Sequence, residues 1–265
     1  MRAKIDDFKK RDIQNIDYQS LFLELKELCF PLFKYKQGNC HNIVHYCSMI
    51  LASKGISHKK IWYYTPAILN FNSTLCISKP DPNNLVAEGN LDWGYHVAII
   101  FDEMGNHQIF DWIMDENKPL SLQDWISNLG LVEFKTDIED PENYLFNIEL
   151  NFDDLSKPAN IEYFKYEGFA KTNYWIPTGL AINDTAYTFY NNEKEILEQN
   201  NDISFDYKLL VGNILDFECV IRDQLYNDTV SLDFQAKHFY LIRKYIELYH
   251  QNLNKWIGVF EYWGF

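Results

Sequence analysis

A chain of 265 residues with 47% hydrophobic and 23% charged side chains is long enough to bury roughly three quarters of its unfolded surface, as one large domain or two small ones. That composition excludes a largely disordered polymer. The net charge of −14, from 38 acidic against 24 basic residues, repels phosphate backbones and anionic lipid, which argues against nucleic acid and membranes as partners. The basic residues Lys34, Lys36, Lys54, Lys59 and Lys60 are sparse and read as solvated loop charge.

The first twenty residues, MRAKIDDFKKRDIQNIDYQS, contain no apolar run of signal-peptide length. No segment reaches the ~20 apolar residues of a membrane span. The expected location is cytoplasmic, with signal-independent export as an effector left open. Five cysteines without paired spacing read as separate thiols in a reducing compartment.

In chain order, Leu21, Leu25, Leu28 and Cys29 recur at helical spacing, so an amphipathic helix is expected over 18–30, ending before Pro31. Cys29 reads as core. After the polar loop KYKQGN, the segment CHNIVHYCSMILASKG places Ile43, Val44, Cys47, Ile50 and Leu51 on one face, a buried helix capped by Gly55 and starting at Asn39 or Cys40. IWYYTPAIL has strand composition, and the polar stretch 70–92, with Pro80 and Pro82, reads as a surface loop.

WGYHVAIIF and HQIFDWI follow as two strands of a hairpin turning at Gly105 and Asn106. PLSLQDWISNLG is a short helix, capped by Ser121 and Asp124 and stopped by Gly130. Beyond residue 135 the type of the Tyr/Phe-rich stretch stays open. Two helices are expected further on, over about 206–224 and 232–252. The domain division is therefore 1–135 and 136–265, the second aromatic-rich, largely helical and free to pack as one unit with the first.

Within this layout three residues carry chemistry. Cys40 opens a helix, where backbone N–H groups and the helix dipole favour a thiolate. Its own N–H, with the side chain of Gln37 or Asn39, is placed to form an oxyanion hole. Taken singly, such a cysteine is more often a small buried hydrophobe. His96 interrupts an apolar strand, with His96, Ala98 and Ile100 on one face and Tyr95, Val97 and Ile99 on the other. A histidine on a strand facing a helix N-terminus is what a Cys–His pair needs. Asp111, across the hairpin, is placed to orient the imidazole. Trp93 and Tyr95 either wall a substrate slot or pack against the helix. His41, His45 and Cys47 are closely spaced, yet no second ligand cluster accompanies them, so neither metal nor other cofactor is expected.

Cysteine at a helix start, then histidine on a strand, then aspartate on the next is the order of papain-like enzymes. GNCHNIVHYCSMILASKG, WGYHVAIIF and IFDW followed by PLSLQDW resemble the bacterial protein glutaminases, over about residues 30–130. The resemblance implies an α+β, papain-like (transglutaminase-like) core, with a catalytic helix packed on an antiparallel sheet and a largely helical C-terminal region. It implies a catalytic set of Cys40, His96 and Asp111, with His45 matching a further histidine of the catalytic helix. It also implies a partner in a protein or peptide bearing glutamine, deamidated through a thioester. Asp111 is followed by Trp112 where the family usually has proline. A papain-like protease, a transglutaminase or acyltransferase, and a non-catalytic binding module on this scaffold are the alternative readings.

Overall fold

A computed structural model of the chain describes residues 6–9, 16–33, 39–70, 72–80, 89–103, 105–149 and 159–165, parts of 177–189, and 236 and 239–264. Two compact units emerge, one comprising Met1–Leu32 with Lys36–Glu167, the other Phe33–Tyr35 with Gly168–Phe265. Residues 136–167, placed by the sequence division in the second half, thus lie with the first unit.

The first unit starts with α1 (Tyr18–Cys29), whose Leu21, Phe22, Leu25, Leu28 and Cys29 form the buried stripe expected from their spacing. The Asp17 carboxylate accepts from the Gln19 N–H at its start, and a 3-10 turn over Phe30–Leu32 absorbs Pro31. Helix α2 (Cys40–Ser53) is buried along nearly its whole length. It begins with Asn39 at the cap position, but that side chain makes no capping bond. The Asn39 Oδ1 instead accepts from Asn42 Nδ2 at 2.9 Å, so the expected side-chain cap is replaced by a buried amide pair.

The central sheet has five antiparallel strands in the order β6-β5-β4-β1-β7: β1 (Lys59–Tyr64), β4 (Tyr95–Glu103), β5 (Asn106–Phe110), β6 (Leu120–Ser121) and β7 (Lys135–Glu139). The β4–β5 hairpin turns where expected, and β1 pairs with β4 so that Tyr63 lies opposite His96 and Tyr64 opposite Tyr95. Alternation then gives the sheet two different faces.

Lys60, Trp62, Tyr64, Tyr95, Val97 and Ile99 share the face on which α2 lies, as the Lys60–His45 and Tyr95–His41 contacts demonstrate. Ile61, Tyr63, His96, Ala98 and Ile100 share the other, packed with Trp93, Leu120 and Trp125. Trp125 belongs to α4 (Leu122–Leu129), which starts with Ser121 Oγ accepting from the Asp124 N–H at 3.1 Å. It stops at Gly130, whose φ of 82° suits a residue without Cβ.

The stretch 70–92 is not loop throughout: β2 (Ile77–Pro80) and β3 (Asn90–Trp93) pair, bringing Ile77 opposite Trp93. Ile77 and Trp93 give this ribbon an apolar anchor, which the count of Asn and Pro around it obscures. Between β3 and β4, Gly94 allows a close approach by α3 (Pro66–Leu69), since a Cβ there would lie 2.3 Å from Ile68 Cγ2. The Thr65 N–H and hydroxyl both donate to the Gly94 carbonyl, fixing the start of β4. Strands β8 (Asn143–Glu149) and β9 (Asn160–Lys165) form a separate two-stranded sheet.

In the second unit α5 (Phe239–Trp263) buries Tyr245, Tyr249, Asn252, Trp256, Phe260 and Trp263. It continues about three turns beyond the end expected for a helix over 232–252. Its Lys255 and Trp256 donate to the buried Asp184 carboxylate at 2.7 and 3.0 Å. The expected helix over 206–224 lies outside the described residues. Among those described, no helix is long and apolar enough to cross a membrane.

Candidate active site

Asp111 follows directly after β5 and is nearly buried. Its Oδ2 accepts from His96 Nε2 at 2.7 Å and from Trp125 Nε1 at 2.7 Å. Its Oδ1 accepts from the backbone N–H groups of Ile113 and Met114, at 3.1 and 3.3 Å, as the chain turns away. Four donors thus converge on one carboxylate. Burial by itself raises the Asp111 pKa, but the His96 charge and these hydrogen bonds overcome it and hold the group below its ordinary value.

His96 is 1% exposed. Its ring stacks against Trp93 at 5.4 Å and 11° on one side, and against Trp125 at 6.2 Å and 28°. Two indole faces fix the ring plane, exclude water from the His96–Asp111 bond, and favour the imidazolium through their quadrupoles. Burial opposes protonation of His96, yet the Asp111 carboxylate and then the Cys40 thiolate raise its pKa to about 10. With Nε2 committed to Asp111, the buried Nδ1 has no conventional hydrogen-bond partner. Cys40 is the thiol that acts on this ring.

Cys40 occupies the first residue of α2, and its thiol senses two rings. Burial pushes the thiol up. The His96 charge, and after it the His41 ring, outweigh this and pull it down to about 6. Between these two values the pair exists as thiolate and imidazolium, titrating as a coupled unit.

The route by which the residues meet differs from the simplest reading. His96 does not share the sheet face of α2 but points to the opposite, Trp-lined face. It is the second residue of β4, and there its ring and the thiol at the head of α2 come within reach of each other.

Trp93 stacks on the His96 ring. Tyr95 turns to the α2 side, where its hydroxyl meets His41 Nδ1 at 3.3 Å and its ring packs 6.0 Å from Trp62. Asn39 is fully buried against Asn42. Gln37 lies outside the described residues. Trp112, at the position where proline is usual, buries itself under α1, stacking on Phe22 at 5.4 Å and donating to the Phe22 carbonyl.

Two further residues come from the structure alone. Trp125 falls within the short helix expected over PLSLQDWISNLG, and its indole N–H proves to donate to the Asp111 carboxylate. Lys60 is no solvated charge: it is 1% exposed and donates to the Asn143 carbonyl at 2.8 Å and to His45 Nδ1. Only the strand parity, Lys60 on the same face as Trp62 and Tyr64, signals its burial in the sequence. Among the described residues, no group of three or more His, Cys, Asp or Glu side chains is gathered to hold a metal ion.

A cysteine-headed helix packed on an antiparallel sheet that carries a histidine and an adjoining aspartate defines the α+β, papain-like class. Residues 18–129 match a glutamine-deamidase family model described as glutaminase. Two solved structures are similar. One is the NMR structure of protein-glutaminase from Chryseobacterium proteolyticum, at 12% identity over 71% of this chain and 84% of that one, with a TM-score of 0.35. The other is a crystal structure of protein-glutaminase, at 14% identity over 65% and 84%, with a TM-score of 0.37. At these scores the chains share a general likeness only. No curated protein sequence matches the chain significantly.

Proposed function

We propose that the chain is a cysteine-dependent amidohydrolase that deamidates glutamine side chains of a protein or peptide, with Cys40 as nucleophile, His96 as acid and base, and Asp111 as its orienter. The observation that carries this reading is the His96 Nε2–Asp111 Oδ2 bond of 2.7 Å, in a dry, ring-stacked setting beside the thiol at the head of α2. It holds the ring so that Nδ1 is the nitrogen left for the sulfur and the substrate.

The Cys40 thiolate attacks the carboxamide carbon, the C=O π pair moves to oxygen, and the Cys40 N–H at the helix start is a donor for the resulting oxyanion. Gln37 and Asn39 remain the side chains proposed to help, with Trp93 and Tyr95 bordering the site. The tetrahedral adduct collapses as the C–N bond breaks and the His96 imidazolium gives its proton to nitrogen, so ammonia leaves and a thioester remains. Neutral His96 then takes a proton from water as the water oxygen bonds to the acyl carbon. The C–S bond breaks, returning thiolate and imidazolium, and glutamate is the product. Asp111 stabilises the imidazolium in both halves without itself being protonated.

The test is ammonia release from a glutamine-containing protein or peptide, with the product read by mass spectrometry. Conversion of the carboxamide to a carboxylate at unchanged chain length, lost by at least about 10³-fold in Cys40→Ala, is the expected result. New chain termini would make the enzyme a protease, amine incorporation a transglutaminase, and full biological effect in Cys40→Ala a binding module; each would overturn deamidation.

A further inference from the structure

The two edges of the central sheet are unlike. Strand β6 ends one edge after two residues and passes directly into α4. Strand β7 forms the other with five residues, no proline, an unbroken register with β1, and no strand among the described residues on its outer side. The outer N–H and C=O groups of such an edge form a row ready to pair with another strand. Apolar exposure gathers at the same place. Of the six large hydrophobic side chains exposed among the described residues, three, Val132, Phe134 and Ile138, lie on β7 or just before it. Exposed apolar side chains beside an open strand edge mark an interaction surface.

Register with β1 sorts the side chains of β7. Thr136 and Ile138 stand opposite Tyr63 and Ile61, on the Trp-lined face, and Phe134 joins them, its ring stacked on Tyr63 at 4.7 Å and 20°. Lys135 and Asp137 stand opposite Tyr64 and Trp62, on the α2 face, and their side chains meet at 2.9 Å. Read in reverse, this pattern matches itself. An antiparallel neighbour of identical sequence, with Thr136 opposite the partner's Thr136, sets Lys135 against the partner's Asp137 twice and Phe134 against the partner's Ile138 twice. Centring the pair on Asp137 would oppose two carboxylates, and centring it on Lys135 would oppose two amines. In the matching register Glu139 meets a like charge, the partner's Glu133, but outside the strand, and its carboxylate is already held by Asn143 Nδ2 at 2.6 Å.

We infer that β7 is a self-pairing edge: two copies of the chain join β7 to β7 in antiparallel about a two-fold axis at Thr136, so that their central sheets become one. The occupant is a second copy because the charges fit one. With a net charge of −14, copies repel each other at long range, and a contact between them has to carry its own opposite charges. The two Lys135–Asp137 pairs supply them on one face. On the other face the two Phe134–Ile138 pairs take apolar side chains out of water. A two-fold contact makes each of these pairs twice, so modest cross-strand energies add up. This pairing does not depend on the reaction proposed above.

Sedimentation velocity of the full chain should show a dimer whose fraction rises with concentration. Lys135→Asp, which sets carboxylate against carboxylate in both charge pairs, should weaken that dimer at least about tenfold. Adding Asp137→Lys to it exchanges the two charges, keeps the register and should restore the dimer. Thr136→Cys places two thiols directly opposite each other, about 5 Å apart at Cβ, and mild oxidation should trap a disulfide-linked dimer. Asp137→Cys, whose two copies are offset along the strands, should link no more than wild type. A monomer at every concentration, with no disulfide from Thr136→Cys above wild type, would overturn the inference. So would a dimer that Lys135→Asp leaves unchanged, since another surface would then hold it. A monomer whose β7 amides are protected from hydrogen exchange only by a glutamine-containing peptide would make the edge a substrate strand and overturn self-pairing.

Discussion

His96 and His45 are both 1% exposed, lie on opposite faces of one sheet, and titrate in opposite directions. Burial opposes the charged form of each ring. What differs is the neighbour. His96 meets a carboxylate and a thiolate and is raised to about 10, whereas His45 meets the Lys60 amine and is pushed well below its ordinary value. Lys60, desolvated with only partial relief from Glu142, is itself pushed well below the ordinary lysine value. Burial thus lowers both rings; at His45 the Lys60 amine adds to it, and only at His96 do Asp111 and Cys40 reverse it. One face favours the charged form of its imidazole, and the other disfavours charge on its amine and imidazole beneath α2.

Breaking the first face should have the largest effect. In Asp111→Asn an NH₂ must replace one oxygen, and both oxygens accept only from N–H donors: His96 and Trp125 on one side, Ile113 and Met114 on the other. Whichever way the amide turns, donor faces donor. A fall of about 10²–10⁴-fold in kcat/KM is expected. The wild-type pH profile should rise through about 6, as Cys40 ionises, and fall towards about 10, as His96 loses its proton. In the variant the alkaline limb moves down. An unchanged alkaline limb would mean that Asp111 does not set the imidazolium. The same coupling enters stability: the raised pKa of His96 contributes fully below about 6.5, and that contribution is lost as pH rises towards about 10.

An intermediate effect is expected for Trp125→Phe, which retains the ring over His96 but deletes a donor to the buried carboxylate. Chemical denaturation should show a loss of about 1–3 kcal/mol. Activity should drop by roughly tenfold, with the alkaline limb shifted up as Asp111 becomes the stronger anion. Loss of stability without that shift would reduce Trp125 to packing.

The smallest effect belongs to the other face. Lys60→Met removes a buried amine that the unfolded chain holds protonated and whose charged form burial disfavours in the native protein. Because the folded pKa is depressed, the cost grows as pH falls below the unfolded value. The variant should match or exceed wild-type stability by on the order of 1 kcal/mol, with a gain larger at pH ~7 than at pH ~9. His45 should then titrate closer to an ordinary histidine by NMR. A gain independent of pH would show that shape, not charge, is at issue.

Much of this was legible in the chain because it is local. The Leu21–Leu25–Leu28 stripe, Gly130 after α4 and the Gly105 turn each encode geometry within a few residues. The order Cys40, His96, Asp111 was readable because one hairpin brings strand partners together across a known register. Less legible were contacts made across the sheet. Trp125 as a carboxylate donor and Lys60 as a buried amine each look ordinary in their own segments. The β2–β3 ribbon was hidden by polar residues around its two anchors, Ile77 and Trp93.

By itself, then, the sequence determined where α1, α2, α4 and the β4–β5 hairpin lie and which thiol, imidazole and carboxylate could form a set, because caps, turns and periodicity act over a few residues. Only the tertiary structure decided which face of the sheet each histidine occupies and hence which charge it meets. Register and parity are collective: they depend on β1 lying beside β4, on α2 covering one face and on α4 with Trp125 covering the other. The pKa of a buried ring follows from that arrangement and from no single residue.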